Sequence, residues 1–312
     1  MECYKVTRVA ILGSSGYLGS FLVQSLKEKF KIISHSRNKI KDKNFKKNIY
    51  KEVLGDIKKD KTINDILKQK PDCIIYTISL NHIDSEKNIF KSLESNFLPF
   101  NNLIQKIKKK KYKIKVIYLS TMQVYGREYN QKIINENYPK NFDNIYALTH
   151  SMCEDLLNTY RKTIDFHCLR ISNTFGMPVL KNINCWWLVI NDFCKSSVKN
   201  NKIVINSDGT ALRDFVTLET LSKVISKLIN TKKAFPFVNV CSGKTFSIKE
   251  IAHKISKNSF FKNKVKVEIK KKAKIKKKKF LYSTENLRKL SIKPFLDFDL
   301  NITQFLKCLK NQ

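Results

Sequence analysis

Three glycines spaced three residues apart, Gly13, Gly16 and Gly19, sit between two very different segments. Before them, residues 6–12 are a short apolar, β-branched run, which by length and composition is a buried strand. After them, Phe21, Leu22 and Leu26 recur at helical spacing within residues 20–30. In a strand–turn–helix unit of this kind the first glycine permits a tight turn, the second a close backbone approach to a pyrophosphate, and the third close packing of helix on strand. The helix N-terminus then faces the phosphates. The segment therefore reads as a dinucleotide-binding turn, with Gly13, Ser15, Gly16, Tyr17, Leu18 and Gly19 as its contacts; a purely structural turn is the alternative.

The rest of the first 170 residues alternates strands with helices. Strands are expected at 31–34, 72–78, 114–119 and 164–169, and helices at 62–70, 88–110 and 144–159, with Pro99 marking a kink in the long one. Such alternation implies an α/β fold: a Rossmann-type, mostly parallel sheet with helices on both faces and a smaller C-terminal substrate lobe. Residues 1–170 are expected to form the NAD(P)-binding domain, with 207–242 contributing back to it and the strand at 237–240 returning to the sheet. Residues 171–206 and 243–312 form mainly the lobe, with a strand at 203–205 and a helix at 248–256; a further helix is expected at 218–229, within the returning segment. A helix is expected to start within Cys185-Trp186-Trp187-Leu188-Val189-Ile190.

Charge excludes less than its size suggests. The chain carries 61 Lys and Arg against 26 Asp and Glu, a net +35. Only seven of the basic residues are arginine, and lysine, asparagine and isoleucine are abundant together, a compositional bias rather than a binding motif. Residues 106–115 read as a wet helix end. Residues 262–279 read as an alternating edge strand guarded by charge, closing in Lys276 to Lys279. Neither cluster comes with zinc-finger spacing or a recognition helix, so no specific nucleic-acid partner is expected. The field would instead favour approach of an anionic nucleotide. Eight scattered cysteines with no CxxC pair read as free thiols, and no metal site is expected. No apolar stretch is long enough to span a membrane, and Met1 to Lys5 shows no signal pattern, so a cytoplasmic protein is expected.

The end of the second strand distinguishes cofactors. An acidic residue there would hold ribose hydroxyls, but the chain has Ser34-His35-Ser36-Arg37. Arg37 suits a 2′-phosphate and Ser36 would support it, which favours NADP, with NAD as the alternative.

These segments resemble the extended short-chain dehydrogenase/reductase family, in its nucleotide-sugar epimerase, dehydratase and 4-keto reductase group, over nearly the whole chain. The resemblance implies that Asp56 and Ile57, in Gly55-Asp56-Ile57, lie at the adenine, that Thr77 and Ser79 lie beside the cofactor, and that Asn96 supports it from the long helix. In Leu119-Ser120-Thr121-Met122-Gln123-Val124-Tyr125-Gly126, Thr121 falls at the catalytic serine/threonine position. Asn173, in Arg170-Ile171-Ser172-Asn173-Thr174-Phe175-Gly176, and Arg213, in Asp208-Gly209-Thr210-Ala211-Leu212-Arg213-Asp214-Phe215-Val216, are implied diphosphate ligands. His82 is placed in a loop facing the substrate.

Tyr146 takes the catalytic tyrosine position, but the lysine four residues on is replaced by His150. Both side chains share one helical face, so the geometry survives. The permanent charge that lowers the tyrosine pKa does not. The resemblance implies that Tyr146 is general acid/base, that Thr121 steadies the reacting oxygen, and that His150 holds the nicotinamide ribose. Dehydratases of the family place an acidic pair where Met122 and Gln123 stand, which argues against dehydration. A 4-keto reductase is the first expectation. An epimerase with tightly held cofactor, or a relative that binds without turnover, is the alternative. The resemblance also implies a homodimer.

Overall fold

In the computed structural model the described residues are 7–127, 129–271, 279–293 and 297–311. Lys276 to Lys278, Cys3 and the first six residues fall outside them. Seven parallel strands form the central sheet: β1 (Arg8–Leu12), β2 (Lys31–Ser36), β3 (Lys51–Leu54), β4 (Cys73–Tyr76), β5 (Lys115–Thr121), β6 (Phe166–Ile171) and β7 (Phe237–Val240), in the order β7-β6-β5-β4-β1-β2-β3. The order reverses between β1 and β4, the switch point at whose carboxyl ends ligands bind in open α/β sheets.

Helices cover both faces, which is why β1 and β4 are apolar without alternation. One apolar core packs Leu22, Val23 and Leu26 of the helix Tyr17–Leu26, and Leu221, Val224, Ile225 and Leu228 of the helix Leu218–Asn230, against Val9, Ile11 and Ile117. The other packs Ile63, Ile66, Phe100, Leu103, Ile104, Cys153 and Leu157 against Ala10, Ile74, Val116 and Tyr118. The strand at 237–240 pairs with β6. Beyond the sheet, a third core gathers the helices Val189–Asn200, Ile248–Ser256 and Phe298–Lys310. There Leu212–Thr217 runs parallel to Asn173–Phe175 and antiparallel to Thr245–Ser247, while Lys266–Ile269 joins Lys202–Ile205.

Among the departures from expectation, three concern the sheet and the elements around it. The long helix over 88–110 is broken: Ile89–Ser92 is α-helical, Leu93–Phe97 forms a π-turn, and α-helix resumes at Leu98–Lys108. Pro99 has no N–H and clashes with the preceding turn, and the wider turn absorbs both defects. The strand Lys51–Leu54 was not anticipated, since it lies at the sheet edge and buries only Val53. The tryptophan pair precedes its helix, which begins at Val189.

Candidate active site

The glycine turn is closed by backbone. Gly13 has φ +90°, and its N–H and that of Ser14 both donate to the His35 carbonyl, at 3.1 and 2.9 Å. A Cβ on Gly13 would lie 2.6 Å from the Thr77 hydroxyl, which itself donates to the Leu12 carbonyl. A Cβ on Gly19 would lie 2.2 Å from the Gly13 carbonyl oxygen. The helix therefore packs so closely on the turn that only hydrogen fits, leaving its N-terminus open at the switch point beside Gly16. That cradle fits a pyrophosphate.

Other expected cofactor residues take different parts. Ser15 is exposed and Leu18 packs on the core. The Tyr17 side chain turns away from the turn: its hydroxyl donates to the Gly176 carbonyl at 2.9 Å and ties the helix to the lobe. At the end of β2 the Ser36 hydroxyl is buried and donates to the Asn38 carbonyl, while Arg37 is exposed. Asp56 is partly buried and accepts from the Lys58 N–H; Ile57 beside it is buried. Asn96 is 1% exposed, with its carboxamide engaged by protein: it accepts from the Leu80 N–H at 2.7 Å and donates to the Thr149 hydroxyl at 3.0 Å. It fastens the loop after β4 to the helix Ile145–Thr159 and offers no surface to a ligand.

That helix is capped by Asn144, whose side chain accepts from the Ala147 N–H. One turn apart, Tyr146 and His150 meet edge to face with ring centroids 4.5 Å apart. Burial pushes the Tyr146 phenol up to about 12, against a hydrogen bond with Ser79 that pulls it down. Burial also holds His150 down to about 4, opposed by the Glu154 charge. The imidazole is 2% exposed, and its Nε2 has no hydrogen-bond partner among the described residues. An orphaned buried polar atom beside the tyrosine fits a site that a ligand hydroxyl completes. Thr121 ends β5, 7% exposed, with its hydroxyl accepting from the Gln123 N–H at 3.2 Å.

One more turn along lies a cluster that sequence reasoning missed. Glu154 is fully buried, meets Arg170 at 2.8 Å and the Ser120 hydroxyl at 2.6 Å, and has Lys140 at 3.3 Å. Arg170 also donates to the Tyr125 hydroxyl and the Glu136 carbonyl. The available signal was a carboxylate eight residues after Tyr146 on the same helix face, and an arginine ending an apolar strand.

On the lobe side, Arg213 is exposed on Leu212–Thr217, and Asn173 donates to the Asp214 carbonyl at 2.9 Å. His82 begins a short helix, His82–Lys87, rather than lying in a loop, and its ring is 5.5 Å from that of Trp187. Burial holds His82 below its ordinary value; Glu86 opposes this, and the charges of Arg127 and Arg213 reinforce it. His82, Trp187 and Arg213 thus share the space between sheet and lobe.

The profile of the NAD dependent epimerase/dehydratase family matches residues 9–241, most of the chain and all of the site described above. The chain belongs to that family. It is 23% identical over 247 residues to GDP-6-deoxy-D-talose 4-dehydrogenase of Aggregatibacter actinomycetemcomitans, covering 78% of this chain and 77% of that one. It is 27% identical over 250 residues to a putative UDP-glucose 4-epimerase of Methanocaldococcus jannaschii, covering 78% and 79%. In fold it matches a UDP-N-acetylglucosamine 4-epimerase from Methanobrevibacter ruminantium M1 in complex with UDP-N-acetylmuramic acid, with TM-score 0.84, 23% identity and 99% of each chain covered. Family membership makes the chain an enzyme of the NAD-dependent nucleotide-sugar epimerase/dehydratase group. Among the described residues, no helix is long and apolar enough to cross a membrane.

Proposed function

We propose that this enzyme reduces a 4-keto nucleoside-diphosphate sugar. The observation that carries this reading is the neutral imidazole of His150 against Tyr146, where the family resemblance implies a lysine ammonium. With no permanent charge at that position and the phenol at about 12, the resting site holds Tyr146 as an acid. Reduction consumes that form directly, as Tyr146 gives its proton to the carbonyl oxygen becoming an alcohol. Oxidation of an alcohol, with which an epimerase must begin, needs the phenolate first. Thr121 steadies the same oxygen, and His150 donates to the nicotinamide ribose. Asn173 and Arg213 bind the diphosphate, with His82 and Trp187 at the sugar. Gly13, Gly16, Gly19, Asp56, Ile57, Thr77 and Ser79 line the dinucleotide. The bound nicotinamide supplies the hydride.

The cofactor in this reading is NADP, on the strength of Arg37 alone, since the Ser36 hydroxyl is engaged by Asn38. Met122, buried, and Gln123 after Thr121 lack the carboxylates that dehydration would need. An epimerase is the second reading, favoured by the relatives, since an oxidised nicotinamide would bring the missing positive charge. A homodimer belongs to the proposal too: among the described residues, four of the nine exposed large hydrophobics, Ile83, Ile89, Phe90 and Leu98, fall in one short stretch. Light scattering tests it.

The deciding experiment supplies nucleotide sugars and their 4-keto forms with NADPH or NAD⁺ in deuterated water. A product two hydrogens heavier, after exchangeable deuterium is washed out, supports the reductase. An isomer of unchanged mass supports the epimerase. Bound cofactor with no conversion across the panel leaves a binding-only relative.

A further inference from the structure

Behind the Tyr146–His150 pair lies an aromatic cluster of Tyr76, Phe100 and Tyr118. From it the Tyr118 hydroxyl reaches His150 Nδ1 at 2.8 Å, with both groups buried. One proton makes that bond, and two arrangements are possible. Either the phenol donates to Nδ1 and the ring N–H is on Nε2, or Nδ1–H donates to the phenol oxygen and Nε2 is bare. Cys153 separates them. Its thiol donates to the Asn96 carbonyl at 3.5 Å, so its sulfur is the other acceptor beside the Tyr118 phenol. In the second arrangement the phenol proton would be left with that sulfur, a weak acceptor, while a strong one, the imidazole nitrogen, was used as a donor.

We propose that Tyr118 is a positioning residue: its hydroxyl donates to His150 Nδ1, fixes the neutral imidazole as the Nε2–H tautomer, and so keeps one oriented N–H for a ribose hydroxyl of the nicotinamide cofactor. The cofactor part rests on the reading above. The Nε2, which has no partner among the described residues, supports it, because a buried N–H without an acceptor is unfavourable until a ligand oxygen supplies one. A lysine at this position would need no such partner, since each of its donors is equivalent and its charge is permanent.

The test is ¹⁵N NMR of the imidazoles in the cofactor-free protein, with His150 assigned by the signal lost in His150→Gln. The expected wild-type spectrum has a bare Nδ1 and a protonated Nε2 at neutral pH. A protonated Nδ1 overturns the proposal without any variant being made. Tyr118→Phe is expected to give a mixture of tautomers and a loss of about threefold to tenfold in affinity for NADP⁺ or NAD⁺, whichever the wild type binds. A variant that stays wholly in the Nε2–H form overturns the role of Tyr118. Wild-type cofactor binding that leaves the Nε2 resonance unmoved overturns its role as ribose donor. If neither cofactor binds, the functional reading fails, while the cofactor-free spectra still decide the tautomer.

Discussion

A single helix, Ile145–Thr159, carries two buried polar groups one turn apart, and the protein treats them in opposite ways. Glu154 keeps its charge: burial pushes its carboxyl up, but Arg170, Lys140 and the Ser120 hydroxyl outweigh that and hold it below its ordinary value. His150 gives up its charge and leaves one nitrogen without a partner among the described residues. Buried charge persists where geometry surrounds it with opposite charge and donors, whereas the His150 nitrogen is left open beside Tyr146, where the proposed function places a ligand hydroxyl. On the proposed function the first cluster belongs to the scaffold and the second to the chemistry, and each can be disturbed separately.

The largest effect falls on the reacting end. Tyr146→Phe is expected to lower turnover of the nucleotide sugar by about 10² to 10⁴-fold, with the denaturant midpoint nearly unchanged, since the ring is kept and only the hydroxyl with its hydrogen bond to Ser79 is lost. A comparable loss of stability would make Tyr146 part of the scaffold. Arg170→Met should do the reverse. It leaves Glu154 buried with Lys140 as its remaining cation, a change of about 3–5 kcal/mol for broken buried pairs. Urea titration measures it, and a loss under about 1 kcal/mol would mean that the pair contributes little net stability.

Acid should separate the two groups in sequence. An unfolded imidazole titrates near 6.5, whereas His150 in the fold is held down to about 4. Between those values the unfolded chain binds the proton and the folded chain does not. Stability is therefore full above about 6.5 and falls as pH drops toward 4, by on the order of 3 kcal/mol. Glu154, with its folded pKa depressed, supplies stability that is present above the ordinary carboxylate range and is lost only as pH falls through that lower value. His150→Gln should flatten the upper part of the curve and leave the lower part in place. Burial also lowers His35 and His167, so the upper slope shrinks rather than vanishes. An unaltered upper slope would mean that the buried imidazole does not titrate as described.

The comparison also separates what could be read from residues in order from what could not. The glycine turn, the apolar strands and the Tyr146–His150 spacing are local patterns, and each led to the element now seen. The Glu154–Arg170 contact joins residues sixteen apart through the sheet, and no periodicity announces it. The resemblance gave Asn96 a supporting role in the long helix but not its partners. Its contacts with Leu80 and Thr149 are ones that only the packed helices create. The π-turn before Pro99 was legible as a defect, but how the chain would absorb it was not.

The smallest expected effect bears most directly on the chemistry. If the neutral imidazole is what keeps Tyr146 an acid, restoring a permanent cation should lower the phenol pKa by about one to three units. His150→Lys should then bring a limb near pH 12 down into a measurable range. Ketone reduction, flat with respect to this group in the wild type, would begin to decline on the alkaline side. Alcohol oxidation, which rises with pH as phenolate forms, would level off over the same interval. Both limbs report one phenol and must move together, because the reaction equilibrium ties the two directions at every pH. Limbs that stay in place would show that something other than the missing charge sets the Tyr146 proton. Limbs that move in one direction of reaction only would show that the group titrating is not the tyrosine.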